Sequence, residues 1–532
     1  MTTLTATRLL TASLLAALSV SAHAATKTLV FCSEGSPAGF DSAQYTTSTD
    51  FDAGAHAVYD TLVEFKRGTL DLTPGLAEKW DESPDAKTFT FHLRHGVKFQ
   101  QTAYFKPTRD FNADDVVFTF KRMIDPNEPF QKAHPVSFPY LTDLGYDKNI
   151  ASIDKLDDYT VRFTLKTPDV VFVRNIAMEF ASIVSAEYAA QLLKEGKPED
   201  FNQKPVGTGA FVFRDYQKDA TIRFDANPTY WNRKDVHIDK LVFSITPDAA
   251  VREQKLESGE CQVTSFARPA ASAKKNPKLT VLSGVGFNVA YVGYNTTHKP
   301  LDNVLVRRAL DMAIDKQAII KSVYEGAATV ASNPMPPSQW SYNKALKDAP
   351  HDPAKARELL KQAGFPNGFT ITLWAMPVQR GYNPNARLMA QLIQADWAKI
   401  GVKANIVSYE WAEYNKRAKT NGEHDAILYG WLGDNGDPDN WLGTTLGCDA
   451  VHGSNMAKWC NKQFDDLLAK ARLVTDQNAR TKLYEEAQVV FKDQVPYTPL
   501  AHANAFQPIS RRVHGYLISP LGGHRFDGIT LD

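Results

Sequence analysis

Phe369-Thr370-Ile371-Thr372-Leu373-Trp374, followed by Ala375-Met376-Pro377-Val378-Gln379-Arg380 and then Gly381-Tyr382-Asn383-Pro384, is the stretch from which the fold is read. Its first six residues alternate apolar and polar side chains, as a half-buried strand does. Asn383-Pro384 then reads as a helix N-cap with proline at the first helical position. Leu388, Met389, Leu392, Ile393, Trp397 and Ile400 recur on one helical face, and Gly401 closes it. A second unit repeats the order. Ile427-Leu428-Tyr429 is strand-like, Gly430-Trp431-Leu432-Gly433 reads as tight, and Asp437-Pro438 reads as a helix start. Each unit sets one charged residue between strand and helix: Arg380 in the first, Asp434 in the second. In open α/β sheets, ligands bind outside the carboxyl ends of strands. One cation and one anion at such ends suit a small zwitterion held at both ends, and a free peptide is such a zwitterion.

Working outward, residues 1–24 read as a targeting segment to be removed. Arg8 supplies a weak positive start, Leu9 to Val20 a short apolar run, and Ala22-His23-Ala24 the form of a signal-peptidase site. The run is too short to span a bilayer, and no later stretch reaches about 18 uninterrupted apolar residues. Cleavage after Ala24 and export are expected. Among the 532 residues, Lys plus Arg and Asp plus Glu each number 60; removing Arg8 leaves a formal charge of −1. That balance points neither to a nucleic-acid surface nor to an acidic lipid surface. The chain has 9 Trp, 20 Tyr and 29 Phe, enough to line a ligand site as well as a core. Its four cysteines are Cys32, Cys261, Cys448 and Cys460. An even number in an exported chain favours disulfides over reduced core thiols, and four allow three pairings. Cys448 and Cys460 are close enough in sequence for an easy local bridge. That would leave Cys32 with Cys261.

Elsewhere Lys27 to Cys32, Lys87 to Arg94, Tyr159 to Leu165 and Thr221 to Phe224 read as strands. Ala113 to Met123 reads as an amphipathic helix with early acids and late bases that suit its dipole. Leu305 to Tyr324 reads as one helix and Pro353 to Ala363 as another. No Gly/Ser linker or repeat divides the chain, which fits domains built from interleaved segments. The fold class expected is α/β with more than one sheet.

Gly75-Leu-Ala-Glu-Lys-Trp80, the Phe89-Phe91-Leu93 strand and Arg94-His-Gly-Val-Lys-Phe99 resemble the signature of solute-binding proteins of peptide and nickel ABC transporters. Asn112-Ala-Asp-Asp-Val116, Pro205-Val-Gly-Thr-Gly209, Asn227-Pro-Thr-Tyr-Trp231 and Asp302-Asn-Val-Leu-Val-Arg307 are similar to further motifs of that family. The segments around Arg380 and Asp434 resemble its dipeptide-binding subgroup. The resemblance implies a pear-shaped, three-domain, periplasmic-binding-protein-like clamp of two lobes with an extra inserted domain. Lobe I would comprise residues 25–59, 210–286 and 504–532, the inserted domain residues 60–209, and lobe III residues 287–503. It implies the pairs Cys32–Cys261 and Cys448–Cys460. It implies that Asp434 takes a peptide amino group and Arg380 the carboxylate, with Trp431, Gly433, Asn435 and Gly436 around them. Thr46 and Ser48, in Tyr45-Thr-Thr-Ser48, would bind from lobe I. Ser48 stands where the subgroup has glycine, which bears on fine specificity. The partners implied are dipeptides, with tripeptides next, and an inner-membrane permease complex; the receptor is expected to be a monomer.

Elementary chemistry supports the two anchors. The arginine fork matches a carboxylate bidentately, and buried charges must be paired. Two fixed charges then act as a ruler for the ligand. Asp437 and Asp439 are expected to cap the following helix. A calcium loop starting at Asp437 fails, because Trp441 occupies a ligand position and Leu442 the position that needs glycine. Neither H-E-x-x-H nor G-x-S-x-G occurs, and no metal or cofactor is expected. Haem, nickel complexes or small oligosaccharides are the alternatives within the binding class. An exported peptide hydrolase is the alternative outside it.

Overall fold

Two mixed sheets and one antiparallel sheet organise the chain. The computed structural model describes residues 26–266, 271–284 and 286–532, so the expected signal segment lies outside it. A seven-stranded sheet runs in the order Leu279–Gly284, Ala505–Ser510, Val263–Thr264, Thr28–Ser33, Lys240–Ile245, Thr221–Ala226, Phe211–Gln217. Its central strand Thr28–Ser33 lies parallel to both neighbours. Leu29 and Phe31 are fully buried there. Cys32 is bonded to Cys261, and Cys448 to Cys460. The first bridge spans 229 residues and fastens a distant segment beside the opening strand.

A six-stranded sheet runs Ala328–Val330, Tyr497–Ala503, Asn288–Tyr294, Ala426–Leu432, Phe369–Trp374, Val402–Val407. Phe369–Trp374 is parallel to both Val402–Val407 and Ala426–Leu432. The crossover helix Ala386–Ala398 buries Met389, Ile393 and Trp397. Thus Arg380 and Asp434 follow the carboxyl ends of adjacent parallel strands. The third sheet, Ala77–Glu82, Thr88–Leu93, Thr160–Leu165 and Ile150–Asp157, is antiparallel and entirely local in sequence. Phe89, Phe91, Val161 and Phe163 supply its buried face. The α/β class therefore stands, as a clamp-like assembly of several units.

Local structure departs from the sequence reading in four places. The cap of helix Ala386–Ala398 is Asn385, whose side chain accepts from Leu388 N at 3.0 Å, and not Asn383. Asn383 precedes a proline, which disfavours helical backbone. It instead exchanges two backbone hydrogen bonds with Arg380, at 3.0 and 2.9 Å. Gly430 to Leu432 is not a turn but the end of strand Ala426–Leu432, paired along its length with Asn288–Tyr294. Leu305 to Tyr324 is two helices, Val304–Ala313 and Lys316–Val323, because Asp315 caps the second and stops the first. Asp437 does cap helix Pro438–Leu446, but Asp439 pairs with Arg472 at 3.0 Å.

Candidate functional site

A cavity of about 580 Å³, partly open to solvent, lies where the three sheet-based units meet. The two-residue loop between Arg380 and Asn383 points the chain back at that meeting place, and Arg380 is only 4% exposed. One arm of its guanidinium, Nη1, donates to Glu34 Oε1 at 2.8 Å and to Thr49 Oγ1 at 3.2 Å. Its flat face lies over the Trp411 ring, 4.2 Å from the ring centre, and 5.5 Å from that of Phe266. The other arm, Nη2, is buried with no hydrogen-bond partner. Such an orphaned charged donor is costly unless something arrives to accept from it. Burial alone would raise the Glu34 carboxyl, but Arg380, with help from Thr49, holds it below the usual range.

Asp434 lines the same cavity. Tyr140 donates its hydroxyl to Asp434 Oδ2 at 2.8 Å, and Asn440 Nδ2 donates to the same oxygen at 3.1 Å. Asn440 Oδ1 accepts from Asp434 N at 2.9 Å and from Trp431 Nε1 at 3.2 Å, so one amide braces both the acid and the indole. Burial first, then the negative charge of Glu179, pushes the Asp434 carboxyl up to about 7. Among the described residues it has no ion-pair partner. A cation delivered to it offsets both causes of the shift.

Thr46, Ser48 and Trp431 line this cavity together with Arg380 and Asp434. Ser48 opens helix Ser48–Ala53, beside the seven-stranded sheet. Thr46 accepts a hydrogen bond from Lys419, whose ammonium burial lowers to about 8. Gly433, Asn435 and Gly436 lie off the cavity wall. Gly433 N donates to Phe287 O at 3.0 Å, and a methyl group there would sit 2.3 Å from the Phe287 ring. Asn435 bonds to Asn175, and Gly436, at φ +75°, packs against Leu70. Asn435 and Gly436 dock the Asp434 loop on the unit built around the antiparallel sheet, while Gly433 packs it against Phe287 and Trp441 beside the six-stranded sheet. A second cavity, about 950 Å³, adjoins the first and shares Ser48, Arg380, Leu432 and Gly523.

The sequence reading missed Glu34, Tyr140, Glu179 and Trp411. Glu34 was findable, because it follows the carboxyl end of strand Thr28–Ser33 as Arg380 follows its own. Tyr140 and Glu179 carry no local signal. Among the described residues no cluster of three or more His, Cys, Asp or Glu fits a metal ion. No helix there is long and apolar enough to cross a membrane.

Comparison with known proteins adds four findings. A family model described as "Bacterial extracellular solute-binding proteins, family 5 Middle" matches residues 71–453. The chain is 61% identical over 505 residues, 94% of each chain, to a protein named di/tripeptide-binding protein 1 from Pseudomonas aeruginosa (strain UCBPP-PA14). It is 49% identical over 507 residues, 95% of this chain and 92% of the other, to heme-binding protein A of Haemophilus influenzae. The crystal structure of a dipeptide binding protein from Pseudoalteromonas sp. SM9913 in complex with Met-Leu superposes with a TM-score of 0.92. That protein is 39% identical, and the match covers 95% of this chain and all of that one.

Proposed function

The chain belongs to the family 5 bacterial extracellular solute-binding proteins, and on that premise we propose that it captures free dipeptides, and tripeptides less readily, by their two charged ends. In this reading it works in the periplasm as a monomeric receptor and hands its ligand, unchanged, to an inner-membrane ABC permease. Residues 25–59, 210–286 and 504–532 form one lobe, 287–503 the other, and 60–209 an inserted domain. The observation that carries the reading is what two buried groups on one cavity lack: Arg380 Nη2 has no hydrogen-bond partner, and Asp434, although it accepts from Tyr140 and Asn440, has no ion-pair partner among the described residues.

Each group lacks what one end of a zwitterion supplies. A carboxylate gives Arg380 Nη2 its acceptor, and an ammonium gives Asp434 its counter-charge. Arg380 and Asp434 act as a ruler, because each added residue lengthens an extended chain by roughly 3.3–3.6 Å. Side chains are met by aromatic walls and by the adjoining cavity rather than by fixed polar groups, which favours tolerance of their identity. The receptor reading is supported over a hydrolase by the family and its relatives, which are binding proteins.

Calorimetry on the mature protein tests the reading. A free dipeptide is expected to bind, while N-acetylated or C-amidated forms lose about 2–5 kcal/mol, the cost of leaving one buried partner alone. Equal affinity for free and blocked forms refutes it. The haem-binding relative motivates one control, a haem titration with and without saturating dipeptide.

A further inference from the structure

The cavity holds a second carboxylate that no motif assigned. Glu179 opens the short 3-10 turn Glu179–Ala181 and lines the same wall region as Asp434 and Tyr140. Its Oε1 lies 3.0 Å from His56 Nε2, and His56 Nδ1 lies 3.0 Å from Asp52 Oδ1. Burial opposes charge on that imidazole, but the two flanking carboxylates raise it to about 9, so it remains an imidazolium. The imidazolium holds one oxygen of Glu179 and fixes the side chain beside the cavity.

We propose that Glu179 is a second anchor for the ligand's α-ammonium, forming with Asp434 and Tyr140 a cage around it. The inference rests on the peptide reading of this cavity and names a residue that sets its selectivity at the amino end. An ammonium carries three donors and no acceptor. Asp434 Oδ2 already accepts from Tyr140 and Asn440, so a single acid leaves part of the ammonium unsatisfied. Glu179, held by His56 through one oxygen, brings a second acceptor to the same wall. The empty site then holds two acids that repel each other, and a bound ammonium relieves that repulsion.

The consequence is a pH signature. The groups facing Asp434 are Glu179 and Tyr140 from one unit, Lys419 from the turn Arg417–Asn421, Asn440 from the following helix and Trp431 from the preceding strand Ala426–Leu432. Of these, Glu179 adds negative charge and holds the Asp434 carboxyl up. Ammonium binding needs Asp434 ionised, so affinity falls as pH drops below about 7. Removing the Glu179 charge moves that fall to lower pH.

The test measures dissociation constants of wild type, Glu179→Gln and Glu179→Asp between pH 5.5 and 7.5, for a free dipeptide and its N-acetyl form. Glu179→Gln is expected to weaken the free dipeptide about tenfold or more at pH 7.5, the scale of a lost charged hydrogen bond. The N-acetyl form should be unaffected, and the pH midpoint should move down. Glu179→Asp keeps the charge and should keep the midpoint. Equal weakening of both ligands shows a structural role through His56 and overturns the proposal, as does an unmoved midpoint in Glu179→Gln. If wild type fails to discriminate free from acetylated dipeptide, it is the peptide reading that has failed.

Discussion

Arg380 Nη1 and Glu34 Oε1 lie 2.8 Å apart, although 346 residues separate them in sequence. One comes from beside the six-stranded sheet and the other from the end of the first strand of the seven-stranded sheet. Both are buried, at 4% and 2% exposure. Without the pair, Arg380 would be an unopposed charge in a dry site, a state proteins avoid. The contact therefore ties the seven-stranded sheet's unit to the six-stranded sheet's unit and leaves Arg380 Nη2 without a partner. In the proposed reading, a ligand carboxylate would share Arg380 with Glu34 rather than own it.

Glu34→Gln removes the anion but keeps the shape. The lone Arg380 then costs the closed, ligand-free form about 3–5 kcal/mol, so the lobes are expected to part. Small-angle scattering should give the ligand-free variant a larger radius of gyration than ligand-free wild type. A saturating dipeptide should reverse the change, since its carboxylate supplies the missing charge. An unchanged radius in the ligand-free variant rejects the latch.

Asp434→Asn separates stability from binding. A carboxyl held up in the folded state stabilises below its unfolded value, 3.8, and that stabilisation is lost as pH rises through about 7. Ligand-free wild type thus carries a penalty at pH 8 of up to about 4 kcal/mol. Asn does not titrate, so the variant should melt higher than wild type at pH 8 and close to it at pH 4. It should also bind free dipeptides far more weakly. A variant that melts lower at both pH values contradicts the assignment.

Arg380→Lys keeps a positive charge but loses the planar fork and its stacking on Trp411, 4.2 Å away. Affinity for free dipeptides should fall about tenfold or more, the scale of a lost charged hydrogen bond. The ratio of free to C-amidated affinity should shrink, while the ratio of free to N-acetylated affinity is kept. Loss of both ratios together points to a collapsed site rather than a missing carboxylate contact.

Gly433→Ala tests whether the Asp434 loop is positioned by close packing. The added methyl would meet the Phe287 ring at 2.3 Å and Trp441 at 2.7 Å. Overpacking of this kind costs about 1–3 kcal/mol. The variant should melt lower and bind dipeptide more weakly, because the loop must shift. Wild-type affinity with a lowered melting temperature shows that the loop tolerates the displacement.

Much of the fold was legible in the chain. The alternation in Phe369–Trp374 marked a strand, and the apolar face from Leu388 to Trp397 marked the helix behind it, because burial on one face imposes a period on sequence. Two such units set Arg380 and Asp434 at neighbouring strand ends, and their charges already suited a zwitterion. Capping was less secure. The sequence pointed to Asn383 as the cap, but Asn383 bridges to Arg380 and Asn385 caps the helix instead.

What only the tertiary structure decided is the company those two residues keep. Glu34, Tyr140 and Glu179 look like any other acid or aromatic in the sequence, and they gain meaning from units far apart in the chain packing around one cavity. No periodicity records such contacts, since period reports which face is buried and not what lies across from it. The chain by itself fixed the strand Phe369–Trp374, the helix behind it and the two charges at neighbouring strand ends. The packing of three units fixed that Arg380 has one arm occupied and one open, and that Asp434 lies beside a second acid.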